Sequence, residues 1–234
     1  MTGLHVGVIM DGNGRWATSQ GLSRMAGHRE GAKALKRIVE AAPGAGIGVL
    51  TVYAFSSDNW RRPAEEVGWL MRLFRSYLRS ERRACVENGV RVTVIGRRDR
   101  LPESLQREIE TTARVTRGGD RLWLRIAVDY SGRDAIVRAA QLAGSDMDVE
   151  RFGRLVTLVD HCDPVPPLDL LIRSGGERRL SDFQLWEAAY AELHFSPRLW
   201  PDFGPGDLEL ALHDFAGRER RFGGLPTERQ AGAA

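Results

Sequence analysis

Three short segments carry side chains suited to holding a polyanion: Asp11-Gly12-Asn13-Gly14-Arg15, Ser56-Ser57-Asp58-Asn59-Trp60-Arg61-Arg62, and Arg173-Ser174-Gly175-Gly176-Glu177-Arg178-Arg179-Leu180-Ser181. Each follows an apolar run long enough for a buried strand. In parallel sheets, binding sites gather at the carboxyl ends of strands, so all three could face one cleft. Their pooled chemistry is a carboxylate, arginines, hydroxyls and glycine amides, which together can hold phosphates and a divalent cation. The same residue types also make ordinary solvated turns, because Gly and Asn tolerate positive φ and Ser and Asp bond nearby backbone. Residue types alone leave both readings open.

The elements that must position these turns alternate regularly. Apolar, β-branched and aromatic runs predict strands over 6–9, 49–55, 91–95, 122–128, 168–172 and 191–195. Helical spacing covers 28–42, 64–87, 103–114, 132–143 and 207–218, with a short helix at 183–188. Residues 17–27 read as a polar loop, 144–150 as a polar connection, and Val165-Pro166-Pro167 as a stiff lead into a strand. This order predicts an α/β fold with a mostly parallel central sheet flanked by helices. No repeat or domain boundary interrupts residues 1–234, so a single domain is expected.

At 234 residues, 42% hydrophobic and 28% charged, the chain has ordinary globular composition. Its apolar stretches are too short to span a bilayer and no signal-peptide pattern opens it, so a soluble cytoplasmic protein is expected. Net charge is only +3, and no nucleic-acid motif is present; no nucleic-acid partner is expected. Cys85 and Cys162 stand far apart, and His161-Cys162 lacks metal-ligand spacing. There is no P-loop, Gly12 and Gly14 lack the third glycine of a dinucleotide fingerprint, and there is no Gly-x-Ser-x-Gly elbow.

The chain resembles the cis-prenyltransferase family, the undecaprenyl diphosphate synthase-like isoprenyl diphosphate synthases. The resemblance rests on HVGVIMDGNGRW at 5–16, Arg24 with Gly27-His28, TVYAFSSDNWRRP at 51–63, LLIRSGGERRLSDFQLW at 170–186, AYAELHF at 189–195 and RERRFGG at 218–224. It implies a homodimer whose hydrophobic tunnel ends at the diphosphate site, with 218–234 partly mobile and contacting the partner subunit. The implied reaction condenses isopentenyl diphosphate with an allylic diphosphate to give a cis isoprenyl diphosphate. Peripheral membrane association is expected if the product is long.

The resemblance also implies residue roles. Asp11 would hold Mg²⁺ against the allylic diphosphate, with Glu192 helping to hold the metal. Gly12, Asn13, Gly14, Arg15, Arg24 and His28 would bind that substrate's phosphates, and Trp16 and Trp60 would border its prenyl chain. Asp11, Ser56 and Asn59 are the implied catalytic residues, Asn59 as a positioning group because a neutral amide is a poor base. Ser57, Asp58 and Arg62 join the substrate-binding set. Arg173, Arg179, Leu180 and Ser181 would bind isopentenyl diphosphate, and Arg221 and Gly223 would reach the partner's site.

The family pattern is broken at several positions. Arg178 stands where many bacterial members have His, and Arg cannot ligate Mg²⁺. Asp182 and Glu187 replace the more usual Asn and Gln, and Asp129-Tyr130-Ser131-Gly132 replaces Asn-Tyr-Gly-Gly. The two carboxylates at 182 and 187 could sit beside a diphosphate pocket, compensated by Arg178 and Arg133. An irregular, lavandulyl-type synthase joining allylic diphosphates is therefore one alternative, and a non-catalytic subunit of a prenyltransferase complex is another. Ala54 suggests an open tunnel, whereas Trp69 and Trp123 would add bulk to its wall.

Overall fold

The apolar runs pair side by side in one direction. In the computed structural model, which describes residues 2–218, they form one six-stranded parallel sheet. Its strands are β1 (Leu4–Ile9), β2 (Ile47–Ser56), β3 (Val90–Ile95), β4 (Leu122–Tyr130), β5 (Leu170–Arg173) and β6 (Glu192–Phe195), ordered β3-β4-β2-β1-β5-β6. Parallel neighbours need crossover connections. Helices α1 (Asn13–Ser19), α2 (Arg24–Ala41), α3 (Ala64–Glu87), α4 (Glu103–Thr116), α5 (Gly132–Leu142) and α6 (Val149–Leu158) serve them, and α7 (Pro205–Ala216) ends the described chain. Strands β2 to β4 lie on one side of β1, and β5 and β6 on the other. The carboxyl ends of β1 and β5 therefore flank the switch point at which such sheets leave a crevice.

Alternation along the strands separates two interiors. Val6, Val8, Leu50, Val52, Leu124 and Ile126 belong to one core, beside residues of α2, α3, α4 and α7. Ile9, Val49, Trp123, Ala127 and Leu171 belong to the other, packed with Phe183 and Leu168. On the first face α2 and α3 touch little. Between them and the sheet lies a cavity of about 340 Å³, lined by Ala32, Leu35, Leu70, Phe74, Ile126 and Val128 among others. It reaches from Met10, Asn13 and His28 at one end to Lys36, Glu81, Arg82 and Arg121 at the other.

The second face carries a buried polar row. His5 bonds Thr51 Oγ1 through Nε2 and the Pro166 carbonyl through Nδ1, both at 2.8 Å. Arg125 donates to the same Thr51 oxygen at 3.1 Å and to Cys162 Sγ at 3.4 Å. These contacts absorb Cys162 and the arginine into the interior, as buried polar groups require.

The helix expected at 183–188 is absent. Ser181, Asp182 and Gln184 have φ of 50°, 65° and 44°, outside the helical region, while Phe183 and Gln184 are fully buried. The segment is folded as turns that bury side chains rather than as a helix. Residues 13–19, expected as turn and loop, are helical, and α2 begins at Arg24. Helix α6, which the sequence pattern does not signal, is capped by Asp148, whose side chain accepts from Arg151 N at 2.8 Å. Trp123 lies on the face away from the cavity, its ring 4.3 Å from the Arg91 guanidinium carbon. Trp69 does not line the cavity either; Ala54 does.

Burial makes stability depend on pH. Desolvation, then the charge of Arg125, lowers the His5 pKa from 6.5 to about 3. Desolvation, then Arg62, lowers that of His28 to about 4. Below pH 6.5 the unfolded chain binds protons that these folded imidazoles refuse. Their contribution is complete above 6.5 and is lost as pH falls through the folded values, by at most about 1.4 kcal/mol per pH unit each. Asp160 acts oppositely: burial raises it from 3.8 to about 6, so its contribution is present below 3.8 and lost as pH rises through 6. Two groups outweigh one, so the melting temperature should be lower at pH 5 than at pH 7. In His5→Gln that difference should shrink; an undiminished difference by thermal unfolding would refute the assignment.

Candidate active site

The switch point is closed by β1 and β5 reaching across to each other. Arg173, the last residue of β5, is buried and donates through Nη2 to Asp11 Oδ2 at 2.9 Å. Its Nη1 donates to Ser181 Oγ at 2.7 Å and to the Arg179 carbonyl at 2.6 Å. Its Nε is buried without a partner. Ser174 Oγ accepts from Asp11 N at 3.0 Å, tying the two strand ends together. Asp11 also faces Arg15, whose Nη2 lies 3.3 Å from Oδ1. The turn between them uses Gly12 at φ 107°, where a Cβ would stand 2.8 Å from Leu199.

Helix α1 lies close against α2 because Gly27 has no side chain; a Cβ there would fall 2.0 Å from the Asn13 carbonyl. This packing brings Asn13 and His28 to the polar end of the cavity. Asn13 Oδ1 and His28 Nε2 are buried there with no hydrogen-bond partner. Arg62 and Arg24 approach from the rim. Glu66 spans them, 3.2 Å from Arg62 Nη1 and 3.6 Å from Arg24 Nε. Desolvation lowers the Arg62 pKa, partly offset by Glu66. The first and second segments thus meet around Asp11, His28 and Arg62, and the third joins them through Arg173 and Ser181.

The second segment is a 3-10 turn, Ser57–Arg61, at the carboxyl end of β2. Asn59 Oδ1 accepts from Ser56 N at 3.1 Å, so the amide oxygen is spent on the turn's own backbone. Ser57 Oγ donates to Asp129 Oδ1 at 3.0 Å. Trp60 packs edge-on to Phe55, with ring centres 5.5 Å apart, and the Arg100 guanidinium carbon lies 5.3 Å from its ring centre.

Not every expected site residue arrives here. Glu192 opens β6 opposite Leu170, at the amino end of the sheet, whereas Asp11 follows the carboxyl end of β1. Glu192 is level with Val6, three strand residues or about 10 Å before Ile9, and Asp11 lies two residues beyond Ile9. Glu192 pairs instead with Arg218 Nη1 at 2.9 Å, so one chain does not bring Asp11 and Glu192 together as joint ligands. Trp16 and Trp60 do not line the cavity; Trp16 Nε1 donates to Asp202 at 2.7 Å. Trp186 packs on Phe152, away from the polar turns. Arg178 and Asp58 are exposed, Arg179 pairs with Glu177, and Leu180 packs into the second core. Arg221 and Gly223 lie outside the described residues.

Of the two substituted carboxylates, Asp182 has bonded partners, whereas Glu187 Oε2 is buried without one. Asp182 accepts from Ser131 Oγ at 2.5 Å and from Arg133 N at 2.9 Å, at the start of α5. Its partner is the Arg133 backbone and not that side chain. Glu187 is buried, and its charge helps raise the pKa of Asp160. Three contributions come only from the structure: Glu66 at the rim, and the bonded roles of Ser174 and Asp129. Only Glu66 had a readable signal, its four-residue spacing from Arg62.

The donor set bears on a metal. Among the described residues no three His, Cys, Asp or Glu side chains could hold an ion by themselves. Mg²⁺ is ordinarily bound by one or two carboxylates with substrate phosphates and water. The single carboxylate of Asp11, among arginines and orphaned polar atoms, fits that mode. Asp11→Asn keeps the shape and removes the charge. Mg²⁺ should tighten inorganic pyrophosphate binding to the parent protein in calorimetry, and the variant should lose that gain; an equal gain in both would remove Asp11 from metal binding.

Comparison with known proteins places this architecture. Residues 9–223 match the family described as "Putative undecaprenyl diphosphate synthase". The chain is 59% identical over 224 residues to isoprenyl transferase 1 of Bradyrhizobium diazoefficiens, covering 95% of this chain and 90% of that one. It is 46% identical to the (2E,6E)-farnesyl-diphosphate-specific ditrans,polycis-undecaprenyl-diphosphate synthase of Salmonella typhi, over 94% and 90% of the two chains. Among solved structures, lavandulyl diphosphate synthase from Lavandula x intermedia, in complex with dimethylallyl diphosphate, is similar at TM-score 0.89 and 36% identity, over 95% of this chain and 98% of that one. A parallel sheet whose switch point joins Asp11 to Arg173, and a match spanning nearly all its residues, make this chain a member of the undecaprenyl diphosphate synthase family.

Proposed function

We propose that the protein is a Mg²⁺-dependent prenyltransferase that adds isopentenyl diphosphate to an allylic diphosphate and forms a cis double bond. One observation carries this reading: an apolar cavity opens at Asn13 and His28 onto a cluster of arginines around Asp11. Such a site suits a molecule with a diphosphate head and a hydrocarbon tail. The proposed assembly is a homodimer, and the proposed location the cytoplasm. No described helix is long and apolar enough to cross a membrane.

The residues divide the chemistry. Breaking the allylic C–O bond leaves charge on the departing diphosphate. Arg15, Arg24 and the Gly12–Gly14 backbone would stabilise it, with His28 neutral at pH 7 and able to donate or accept. Mg²⁺ held by Asp11 would supply further neutralisation of that charge. The carbocation left behind must be kept from water, which the apolar wall of the cavity favours. Arg173 and Ser181, already in contact, would hold the second diphosphate, and the unpartnered Arg173 Nε offers it a donor. The double bond attacks the cation, and a proton leaves the adjacent carbon to a diphosphate oxygen, with Ser56 and Asn59 orienting the groups. The irregular alternative is motivated by the departures at Arg178, Asp182 and Glu187; the bonding of Asp182 at the start of α5 favours the regular reading over it.

The assay is incubation with dimethylallyl, geranyl or farnesyl diphosphate, with and without isopentenyl diphosphate, products being identified by mass and NMR. Expected is a linear cis product that requires isopentenyl diphosphate, disappears with EDTA and returns with Mg²⁺. A branched product from allylic diphosphate alone, or no turnover, would overturn the reading. Ala54→Leu adds bulk to the cavity wall and should shorten the product; an unchanged length would show that the chain does not pass Ala54.

A further inference from the structure

We propose that Asp129 and Arg100 form a positioning pair that holds the Ser56–Arg62 turn from behind, a role resting on the prenyl transfer proposed above. Neither residue lines the cavity. Asp129 has no exposed surface and stands at the carboxyl end of β4, next to Tyr130, which pairs with Ser56. Both its oxygens are engaged. Oδ1 accepts from Ser57 Oγ at 3.0 Å and from Arg100 Nη2, and Oδ2 accepts from Arg100 Nε at 2.9 Å. The same guanidinium lies 5.3 Å from the Trp60 ring centre. Asp129 thus grips one residue of the turn directly and another through Arg100.

The turn needs such a grip. It is a single 3-10 segment with no buried residue of its own, a form with poor internal hydrogen bonding. Yet it carries Ser56, Asn59 and Arg62, and displacement of about 1 Å in groups that orient reactants can cost on the order of a hundredfold in rate. Asp129 holds φ at 52°, a conformation rarely kept by a residue with a side chain unless its surroundings impose it. A carboxylate is the group that accepts both Arg100 N–H bonds and the serine hydroxyl together; an amide at this position has one acceptor oxygen.

The test uses the full-length protein and the variants Arg100→Met and Asp129→Asn. Hydrogen exchange of the peptide 56–62 is read by mass spectrometry, and kinetics are measured with farnesyl and isopentenyl diphosphates and Mg²⁺. In Arg100→Met, exchange of 56–62 should rise about tenfold and kcat fall about tenfold, with KM for farnesyl diphosphate moving less than about twofold, because that diphosphate is held mainly from β1. Asp129→Asn should fall between this variant and the parent in both readings. Unchanged exchange over 56–62, an unchanged kcat, or matching losses in kcat and melting temperature without a local exchange change would overturn the proposal. A parent protein without turnover would overturn the proposed reaction instead, and the exchange measurement would still decide the clamp.

Discussion

Arg173 is a guanidinium taken out of water at the tip of β5, with only 4% of its side chain exposed. Leaving such a charge unpaired would cost several kcal/mol. The pairing it finds spans the switch point: Asp11 from β1, Ser181 Oγ and the Arg179 carbonyl from its own loop. Satisfying Arg173 therefore sets the distance between two strand ends and the path of the loop that follows. Because Asp11 is also within reach of Arg15, the same carboxylate orients the start of α1. The rest of the site is built outward from this contact.

The arrangement leaves capacity unused. Arg173 Nε, Asn13 Oδ1 and His28 Nε2 are buried without partners in the protein. Such groups are tolerated when a ligand completes them. Beside them the interior is hydrocarbon, since α2 and α3 stand apart and their apolar faces line the cavity instead of meeting each other. A charged head and a hydrocarbon tail can thus be held together while water is kept from the bond between them.

Charge in this chain serves structure as much as chemistry. Asp182 bonds Ser131 and the Arg133 backbone, Glu66 spans two arginines at the rim, and Arg125 is satisfied by Thr51 and Cys162 beneath the sheet. A departure from a family's pattern near a site is consequently no sign of altered substrate until its partner is known. Asp182 and Glu187 lie a few residues from Arg179 in sequence, yet local turns direct them to α5 and to the second interior.

The sequence by itself determined the parallel α/β architecture, because period-two and period-3.6 patterns report which face of each element is buried. It also marked the three turns, since only certain residues suit strand ends that must bend at once. What it could not determine was which side chains meet. Glu192 shares a motif with its neighbours but opens its strand at the wrong end of the sheet for Asp11. Trp123 alternates onto the face opposite the cavity. The segment 183–188 looks helical in composition, but positive φ at three nearby residues folds it into turns. Asp129 reads as one more strand-end residue until Arg100, from a different loop, closes on it. Those outcomes depend on strand order and on contacts between residues far apart in the chain, which only the tertiary structure decides.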